Sequence, residues 1–159
     1  MSFIKQYQAY KKRPFGNYLF NKGIGLNAPF FGKLKPDVSH YTEGHCEVRM
    51  KDRWGVRNHI GTVNAGALCS LAELTGGLTI DSAIDPGLRW LPSGMTVAYI
   101  KKAKGTLTCK CKLNGTITET GDTVVPLAIV DNSGDTVFTA EISFYVLSLI
   151  HISEPTRPY

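Results

Sequence analysis

An alternation of apolar and polar residues recurs along the chain and predicts β-strands, because successive side chains of a strand point to opposite faces. It begins where Cys46, Val48 and Met50 alternate with charged residues. Four more such segments follow, at 95–101, 106–113, 124–130 and 136–146. The last two flank a polar loop at 131–135 that is typical of a hairpin. Pro126 indicates that its own strand is interrupted or lies at a sheet edge.

The spacing of apolar residues is different between the first strand and the other four. From Asn64 to about Ala83, apolar residues recur every three or four positions, which predicts one long helix. The sequence Asp85-Pro86-Gly87 ends it, because proline cannot continue a helix. One strand, one helix and a four-stranded antiparallel meander predict an α+β fold in which the helix packs against a curved sheet.

The N-terminal segment carries the excess positive charge. The formal net charge is +5, and the first 36 residues, which contain no acidic residue, hold +7, so the remainder carries −2. Ile4, Tyr7 and Lys11 follow helical spacing, which predicts an amphipathic helix over a sheet edge, and Pro14 would end or kink it. The charge is either a solvated helix face or an attraction for a phosphate-bearing partner. That partner would be an anionic membrane contacted through residues 1–22, or the nucleotide end of a large thioester.

Composition narrows the class of protein. No apolar run is long enough to span a bilayer, and Lys5 and Tyr7 stand where a signal peptide would be apolar, so a soluble, cytoplasmic protein is expected. The four cysteines form no C-x-x-C pair, which favours reduced core thiols. No metal site is expected, although His40, His45 and Cys46 could meet in space. No recognised nucleic-acid-binding module surrounds the basic residues, so no nucleic-acid partner is expected.

The face of the long helix around Glu73 is poor in large side chains. Its neighbours at helical spacing include Gly66, Gly76 and Gly77, and each glycine inside a helix costs roughly 1 kcal/mol relative to alanine. Either the paired glycines let the helix pack tightly on the sheet, or a ligand approaches them closely. At the helix N-terminus, amides without intrahelical acceptors stabilise negative charge on a carbonyl oxygen. Asn58 just upstream would add a side-chain amide donor, or is an ordinary turn asparagine.

One segment resembles the active-site region of acyl-CoA thioesterases with the hotdog fold: Asn58-x-x-Gly61-Thr62-Val63-x-x-Gly66-Ala67-Leu68-x-x-Leu71-Ala72-Glu73. It is most similar to the phenylacetic-acid-degradation subgroup, and residues 89–99 resemble the strand after the helix in an uncharacterised thioesterase-like branch. The resemblance extends over about residues 27–146. It implies a hotdog fold, in which a curved antiparallel sheet wraps a long central helix, with an extra helical segment at the N-terminus.

Carried over residue by residue, the resemblance implies Glu73 as the base or nucleophile, Asn58 as an amide that orients the carbonyl, and the backbone amide of Ala65 as the oxyanion donor. The family pattern commonly has His followed by Gly where this chain has Asn64 and Ala65. A backbone donor tolerates alanine if the local angles are helical, so the oxyanion role survives this difference. Family members that use a serine in the following strand are matched loosely by Ser93.

The implied substrate is an acyl-CoA or a related acyl thioester, with coenzyme A as part of the substrate and no separate cofactor. Asn64 and Gly66 would bind this substrate, together with Ser93 and Arg57. Arg57 would hold a coenzyme A phosphate, unless it is an ordinary solvated side chain. The alternative function is a non-catalytic acyl- or lipid-binding hotdog protein that contacts membranes peripherally.

The separation of the candidate residues predicts an oligomer. Ala65 and Glu73 are eight residues apart, which is roughly 12 Å along a helix that rises about 1.5 Å per residue. Because one thioester carbon cannot contact both, a shared site would take the carboxylate from one chain and the amide from a symmetry-related chain. A homodimer is therefore the smallest expected assembly, with a tetramer as the larger alternative.

No linker divides the sequence, so a single domain over residues 1–146 is expected, with residues 1–26 as a basic helical extension. Residues 147–157 resemble translated read-through of a sequencing adapter. Residues 147–159 are therefore expected to be a non-native tail, and His151 is given no role.

Overall fold

Three helices precede the first strand in the computed structural model, which describes residues 2–149. They are α1 (Phe3–Lys11), α2 (Gly16–Asn27) and the single turn α3 (Pro29–Gly32). The break between α1 and α2 contains Pro14, in agreement with the sequence prediction. Gly16 begins α2 at a point where an added Cβ atom would lie 1.7 Å from the carbonyl oxygen of Tyr10. Only glycine therefore lets α2 start this close to α1.

Six antiparallel strands form one sheet in the spatial order β1-β2-β4-β5-β6-β3. Their bounds are β1 Asp37–Thr42, β2 His45–Met50, β3 Leu88–Tyr99, β4 Leu107–Lys112, β5 Gly121–Val130 and β6 Thr136–Ser148. The α4 helix (Ala65–Ala83) lies between β2 and β3 in the chain, and a short 3-10 turn at Trp54–Val56 precedes it. The predicted α+β fold is confirmed, with one strand more than predicted.

Bulges explain the two largest differences between the predicted and the observed strands. β1 is absent from the prediction because its register shifts between Val38 and His40, so that Val38 and Tyr41, three residues apart, are both buried. That spacing hides the two-residue alternation. β3 begins at Leu88, earlier than the predicted residue 95, and its register shifts between Pro92 and Gly94. The proline and the bulge conceal the first half of this strand.

Pro126 does not interrupt its strand. It lies within β5 and pairs with Glu141 of β6. The pairing of β5 with β4 extends only from Val130 to Leu127, so Pro126 lies one residue beyond it, where β5 has an unpaired side towards β4. The missing amide hydrogen of proline is therefore tolerated at a local edge of an otherwise internal strand.

The core lies between α4 and the sheet. Leu71 and Ile80 of α4 are fully buried, as are Phe138, Ile142 and Phe144 on the predicted apolar face of β6. Thiols occupy part of this core, since Cys46, Cys109 and Cys111 are buried and unpaired. Burial raises the pKa of the Cys109 thiol to about 12, so this sulfur stays protonated and unreactive at neutral pH.

The N-terminal helices pack on α4 and on β1, which is an edge strand of the sheet. The buried Tyr7 ring contacts the rings of Phe20 and Tyr41, with centroids 5.0 Å and 5.5 Å away. The Tyr41 hydroxyl donates a hydrogen bond of 2.9 Å to the Leu78 carbonyl oxygen of α4. One aromatic cluster thus joins the extension, the sheet edge and the central helix. None of the helices within residues 2–149 has the length and apolar character needed to cross a membrane.

Part of the segment expected to be a non-native tail continues the sheet. Leu147 and Ser148 of β6 pair with Arg89 and Leu88 of β3. Residues 150–159, including His151, lie outside the described residues.

Candidate functional site

Asn64 caps the N-terminus of α4. Its backbone is extended, with φ −66° and ψ 142°, and its Oδ1 accepts a hydrogen bond of 2.7 Å from the Gly66 amide. Ala65 is the first residue of the helix, so its amide has no intrahelical acceptor, and the residue is exposed. Of the predicted donors at this end, the Gly66 amide is thus engaged by the cap, whereas the geometry suits the Ala65 amide for an incoming oxygen.

Asn58 organises the loop that leads into α4. Its Oδ1 accepts hydrogen bonds from the amides of Ile60 and Thr62, both 3.1 Å long, and its Nδ2 donates to the Thr62 hydroxyl over 2.9 Å. The second Nδ2 hydrogen is the one left to orient a carbonyl group. Asn58 can therefore be both a turn residue and the residue that orients a carbonyl group, because the turn holds its side-chain amide in place.

Arg57 is engaged by a neighbouring carboxylate. Its Nε donates to Asp52 Oδ1 over 2.6 Å, and the Asp52 side chain is only 8% exposed. The Asp52 carboxylate also accepts a hydrogen bond of 3.1 Å from the Gly105 amide. Arg57 thus anchors the loop before α4 by an ion pair, and a substrate phosphate would have to compete with Asp52 for it.

Glu73 stands at the mouth of an apolar cavity of about 190 Å³. The walls come from all three N-terminal helices, through Phe3, Ile24 and Phe31 among others, from α4 through Leu74 and Leu78, and from β3 through Trp90. Leu71 and Leu74, which neighbour Glu73 on α4, are buried, whereas Glu73 itself is exposed in the single chain. The structure therefore presents this carboxylate to solvent beside an apolar cavity.

The paired glycines of α4 have two different neighbours. A Cβ atom on Gly76 would lie 2.9 Å from Ile142 Cδ1, so this glycine lets the helix pack on the sheet. A Cβ atom on Gly77 would lie 3.0 Å from the indole ring of Trp90, and both residues line the cavity. Tight packing on the sheet accounts for Gly76, whereas Gly77 makes room for a wall of the cavity.

Ser93 lies on the exposed bulge of β3, and its hydroxyl donates to the Ser143 carbonyl oxygen over 3.1 Å. It does not line the cavity beside Glu73. The other candidate residues lie together at one end of α4, about two turns or more from Glu73: Arg57, Asn58, Asn64, Ala65 and Gly66. Within the single chain these candidate residues and Glu73 are therefore kept apart.

The cavity walls are the part of the candidate site that sequence reasoning missed. Ile24 and Phe31 belong to a segment that the sequence marks only by its charge and helical spacing, and Trp90 belongs to the hidden half of β3. Their meeting depends on how α2 and α3 fold back on α4, which no local pattern encodes. The His40 and His45 rings lie 4.4 Å apart. Nevertheless, residues 2–149 contain no group of three His, Cys, Asp or Glu side chains arranged to hold a metal ion.

Comparison with known proteins gives a family and a fold. The model of a family described as Domain of unknown function (DUF4442) matches residues 16–146. No curated protein matches the sequence significantly. Among solved structures, "genomics APC5556" is 36% identical with a TM-score of 0.82, and the match covers 92% of this chain and 98% of that one.

Two further solved structures carry a functional name. The Pseudomonas aeruginosa protein of unknown function PA5026, named a probable thioesterase, is 21% identical with a TM-score of 0.72, covering 82% of this chain and 95% of that one. Thioesterase HI1161 from Haemophilus influenzae is 16% identical with a TM-score of 0.74, covering 90% and 98%. At these identities the likeness concerns the fold, since one fold hosts many activities.

Proposed function

The chain is a hotdog-fold member of the DUF4442 family, and we propose that it is a thioesterase that hydrolyses an acyl-CoA or a related acyl thioester. One observation carries the proposal: an apolar cavity opens beside the Glu73 carboxylate on a helix whose exposed N-terminus offers the Ala65 amide. The cavity suits an acyl chain, and the other two groups suit attack on a carbonyl carbon. The hotdog fold shared with proteins named thioesterases is consistent with this chemistry.

In the proposed reaction, the Glu73 carboxylate either removes a proton from water or attacks the thioester carbonyl carbon directly. The carbonyl oxygen, which becomes negative, accepts a hydrogen bond from the Ala65 amide, and the free Nδ2 hydrogen of Asn58 orients the same group. In the first route the water oxygen bonds to the carbonyl carbon, the C–S bond breaks, and the proton taken up by Glu73 passes to the leaving sulfur, so that a thiol and a carboxylic acid are released. In the direct route the C–S bond breaks as Glu73 forms an acyl anhydride, water then hydrolyses this anhydride to the free acid and the Glu73 carboxylate, and the leaving thiolate takes up the proton that the water releases. Coenzyme A takes part only as the leaving group of the substrate.

We propose that a two-fold partner completes the site, and the position of β3 supports this. β3 ends the strand order, so within the described chain one of its edges is unpaired. Its beginning packs through Trp90 against Gly77, and near its end the Tyr99 hydroxyl lies 3.5 Å from the Cys69 sulfur. Antiparallel pairing of β3 with its copy would place the Trp90 end of one strand beside the Tyr99 end of the other. The Glu73 cavity of each chain would then face the α4 N-terminus of its partner.

Turnover of a panel of acyl-CoA thioesters tests the proposal. The wild-type protein should release free thiol well above the buffer rate, and Glu73→Gln should lower kcat by about 10²- to 10⁴-fold, because it keeps the shape of the side chain but removes its basicity. Since Glu73 is exposed, Glu73→Gln should leave the unfolding temperature nearly unchanged. Equal rates for wild type, variant and buffer across the panel would refute the thioesterase assignment.

A second candidate is a non-catalytic acyl- or lipid-binding protein at a membrane surface, and the outer face of α2 favours it. Tyr18, Leu19 and Leu26 follow helical spacing and are exposed, opposite the buried Phe20. Phe15, which immediately precedes α2, is exposed as well. The segment that carries them has seven basic and no acidic residues before Asp37. An apolar stripe flanked by basic residues suits an anionic lipid surface. Binding of acyl thioesters without turnover, measured by thermal shift, would favour this candidate.

We propose a cytoplasmic location for either function. The described cysteines are all free thiols, and Cys109 and Cys111 lie two residues apart on one buried face of β4. Unpaired core thiols are typical of a reducing compartment.

A further inference from the structure

We propose that a cationic cavity at one end of β1, β2 and β4 binds the phosphate groups of an anionic ligand. We infer that this ligand is the nucleotide end of an acyl-CoA, and this inference rests on the proposed function. The cavity measures about 410 Å³, and its lining consists of Lys35, Asp37, Arg49, Lys51, Arg53 and Thr106. Four of the six side chains are basic, so this cavity differs in kind from the apolar cavity beside Glu73.

The one carboxylate of this cavity is already neutralised. Asp37 Oδ2 accepts a hydrogen bond of 2.7 Å from Arg49, and its Oδ1 accepts from the Nδ2 groups of Asn17 and Asn21 over 2.9 Å and 3.1 Å. In the described part of the chain, Lys35, Lys51 and Arg53 form no salt bridge. Three positive charges thus share one cavity without an acidic partner, which attracts a multiply charged anion.

Arg53 adds an unsatisfied donor to this cluster. Its Nε is buried and has no hydrogen-bond partner among the described residues, while its Nη2 donates to the Lys33 carbonyl oxygen. An unpaired donor on a buried charged group is costly, and guanidinium groups match phosphate oxygens in a planar, two-pronged geometry. An anion in the cavity would interact favourably with this guanidinium charge, which no carboxylate of the described residues neutralises.

Backbone strain at the rim points in the same direction. Lys35 has φ 49°, in the left-handed region that residues with a side chain seldom adopt. Lys35 comes three residues after the end of α3, and this conformation places a lysine in the cavity lining where a glycine would be less strained. A strained residue that also supplies a charge is characteristic of a ligand-binding position.

The cationic cavity and the α4 N-terminus are joined by one loop. Arg53 precedes the 3-10 turn Trp54–Val56, and the Val56 carbonyl oxygen accepts a hydrogen bond of 2.8 Å from the Asn64 amide at the helix cap. A phosphate bound by Arg53 would thus contact the loop that leads to the Ala65 amide, which is the proposed oxyanion donor. Coenzyme A carries phosphates at one end and the thioester at the other, which suits a site with two such parts.

Titration of inorganic pyrophosphate into the protein, followed by calorimetry at low ionic strength, tests the site without any turnover. Lys51→Gln and Lys35→Asn should each raise the dissociation constant about tenfold, because each removes a charged contact. Asparagine is chosen at position 35 because it tolerates the left-handed backbone. Lys12→Gln removes the same charge from the exposed turn after α1 and should change binding less than twofold. Equal weakening by all three variants, or no binding by the wild type, would overturn the site.

Kinetics distinguish a nucleotide from a free phosphate as the source of the anion. In an active enzyme, Lys51→Gln should raise KM for an acyl-CoA about tenfold and leave kcat/KM unchanged for the matching N-acetylcysteamine thioester, which has no phosphate. If pyrophosphate binding weakens but KM for acyl-CoA does not change, the site stands and the nucleotide assignment fails. If no thioester is hydrolysed at all, the proposed function fails, while the calorimetric result still decides the phosphate site.

Discussion

Asp52 holds the loop that precedes α4 through three separate hydrogen bonds. Its carboxylate accepts hydrogen bonds from Arg57 and from the Gly105 amide, and its own amide donates to the Gly105 carbonyl oxygen over 3.2 Å. The Arg57 guanidinium, followed by the Gly105 amide, holds the pKa of the Asp52 carboxyl below its ordinary value. One nearly buried acid therefore fixes the loop that carries Arg57 and Asn58.

This contact gives folding stability a defined pH dependence. Because the pKa of Asp52 is lower in the folded chain than in the unfolded chain, its contribution is complete above the unfolded value of about 3.9 and is lost as the pH falls through the folded value. Asp52→Asn should cost about 1 kcal/mol at pH 7 and should reduce the loss of unfolding free energy between pH 5 and pH 3. Urea denaturation at these pH values measures both effects, and Asp122→Asn on β5 controls for the loss of one charge. Parallel curves for wild type and Asp52→Asn would contradict the prediction.

Individual candidate residues were accessible to sequence reasoning to different degrees. The sequence places the start of the helix at Asn64, and the structure begins it one residue later, with Asn64 as the cap, because the extended backbone of Asn64 lets its side chain accept from the Gly66 amide. The ion pair of Arg57 with Asp52 and the exposure of Glu73 depend on loop and tertiary geometry. For this reason the sequence indicates which residues are candidates for a reaction, but not which of them already form hydrogen bonds or ion pairs within the chain.

At the scale of the elements, the periodicity of apolar residues was sufficient to predict a helix or strand wherever the backbone is regular. α4 and β6 agree with their predicted ranges, since each shows an uninterrupted pattern over many residues. β1 and the first half of β3 escaped prediction because bulges shift the buried face by one residue. The order of the strands in the sheet, with β3 at one end, follows from tertiary pairing and not from the alternation.

α2 has one buried face and one exposed apolar face. Gly16, Phe20 and Ile24 are buried inwards, whereas Leu26 is 83% exposed and Phe30 on α3 is 62% exposed. Ile24 also lines the apolar cavity, so the outward face lies on the element that forms a cavity wall. If the outward face contacts lipid, an acyl group would reach the cavity from the membrane side.

Vesicle sedimentation tests this membrane contact. Phosphatidylserine-containing vesicles should bind the wild-type protein, and the double variant Leu26→Ser, Phe30→Ser should bind at least about tenfold more weakly, because each change removes an apolar side chain from the lipid interface. Val124→Ser on β5, where the side chain is 53% exposed, should bind as the wild type does. Unchanged binding by the double variant would exclude this face. If the double variant instead had a lower molecular mass in solution than the wild type, with equal lipid binding, the face would contact a second copy of the chain.

At the scale of the whole molecule, the proposed chemistry depends on symmetry. Glu73 and Ala65 belong to the same helix, so they are held apart within one chain regardless of loop movement. In the proposed dimer, the edge of β3 that no other described strand pairs with would bring one of each together from two chains. The separation could be predicted from the sequence because helix rise is constant, whereas the pairing edge required the strand order.

Mixing two inactive variants tests whether each site is shared between two chains. Glu73→Gln removes the carboxylate, and Ala65→Pro removes the amide hydrogen at a position where proline suits the first helical residue. The extended backbone of Asn64, with ψ 142°, accommodates a following proline. A mixed dimer then has one site with both defects and one site with neither, so an equimolar refolded mixture should recover about one quarter of the wild-type kcat. Each variant alone should stay inactive under the same refolding, and the active fraction should have twice the chain mass of 17.4 kDa. If both groups acted within one chain, every chain in the mixture would lack one of them, and no activity would return.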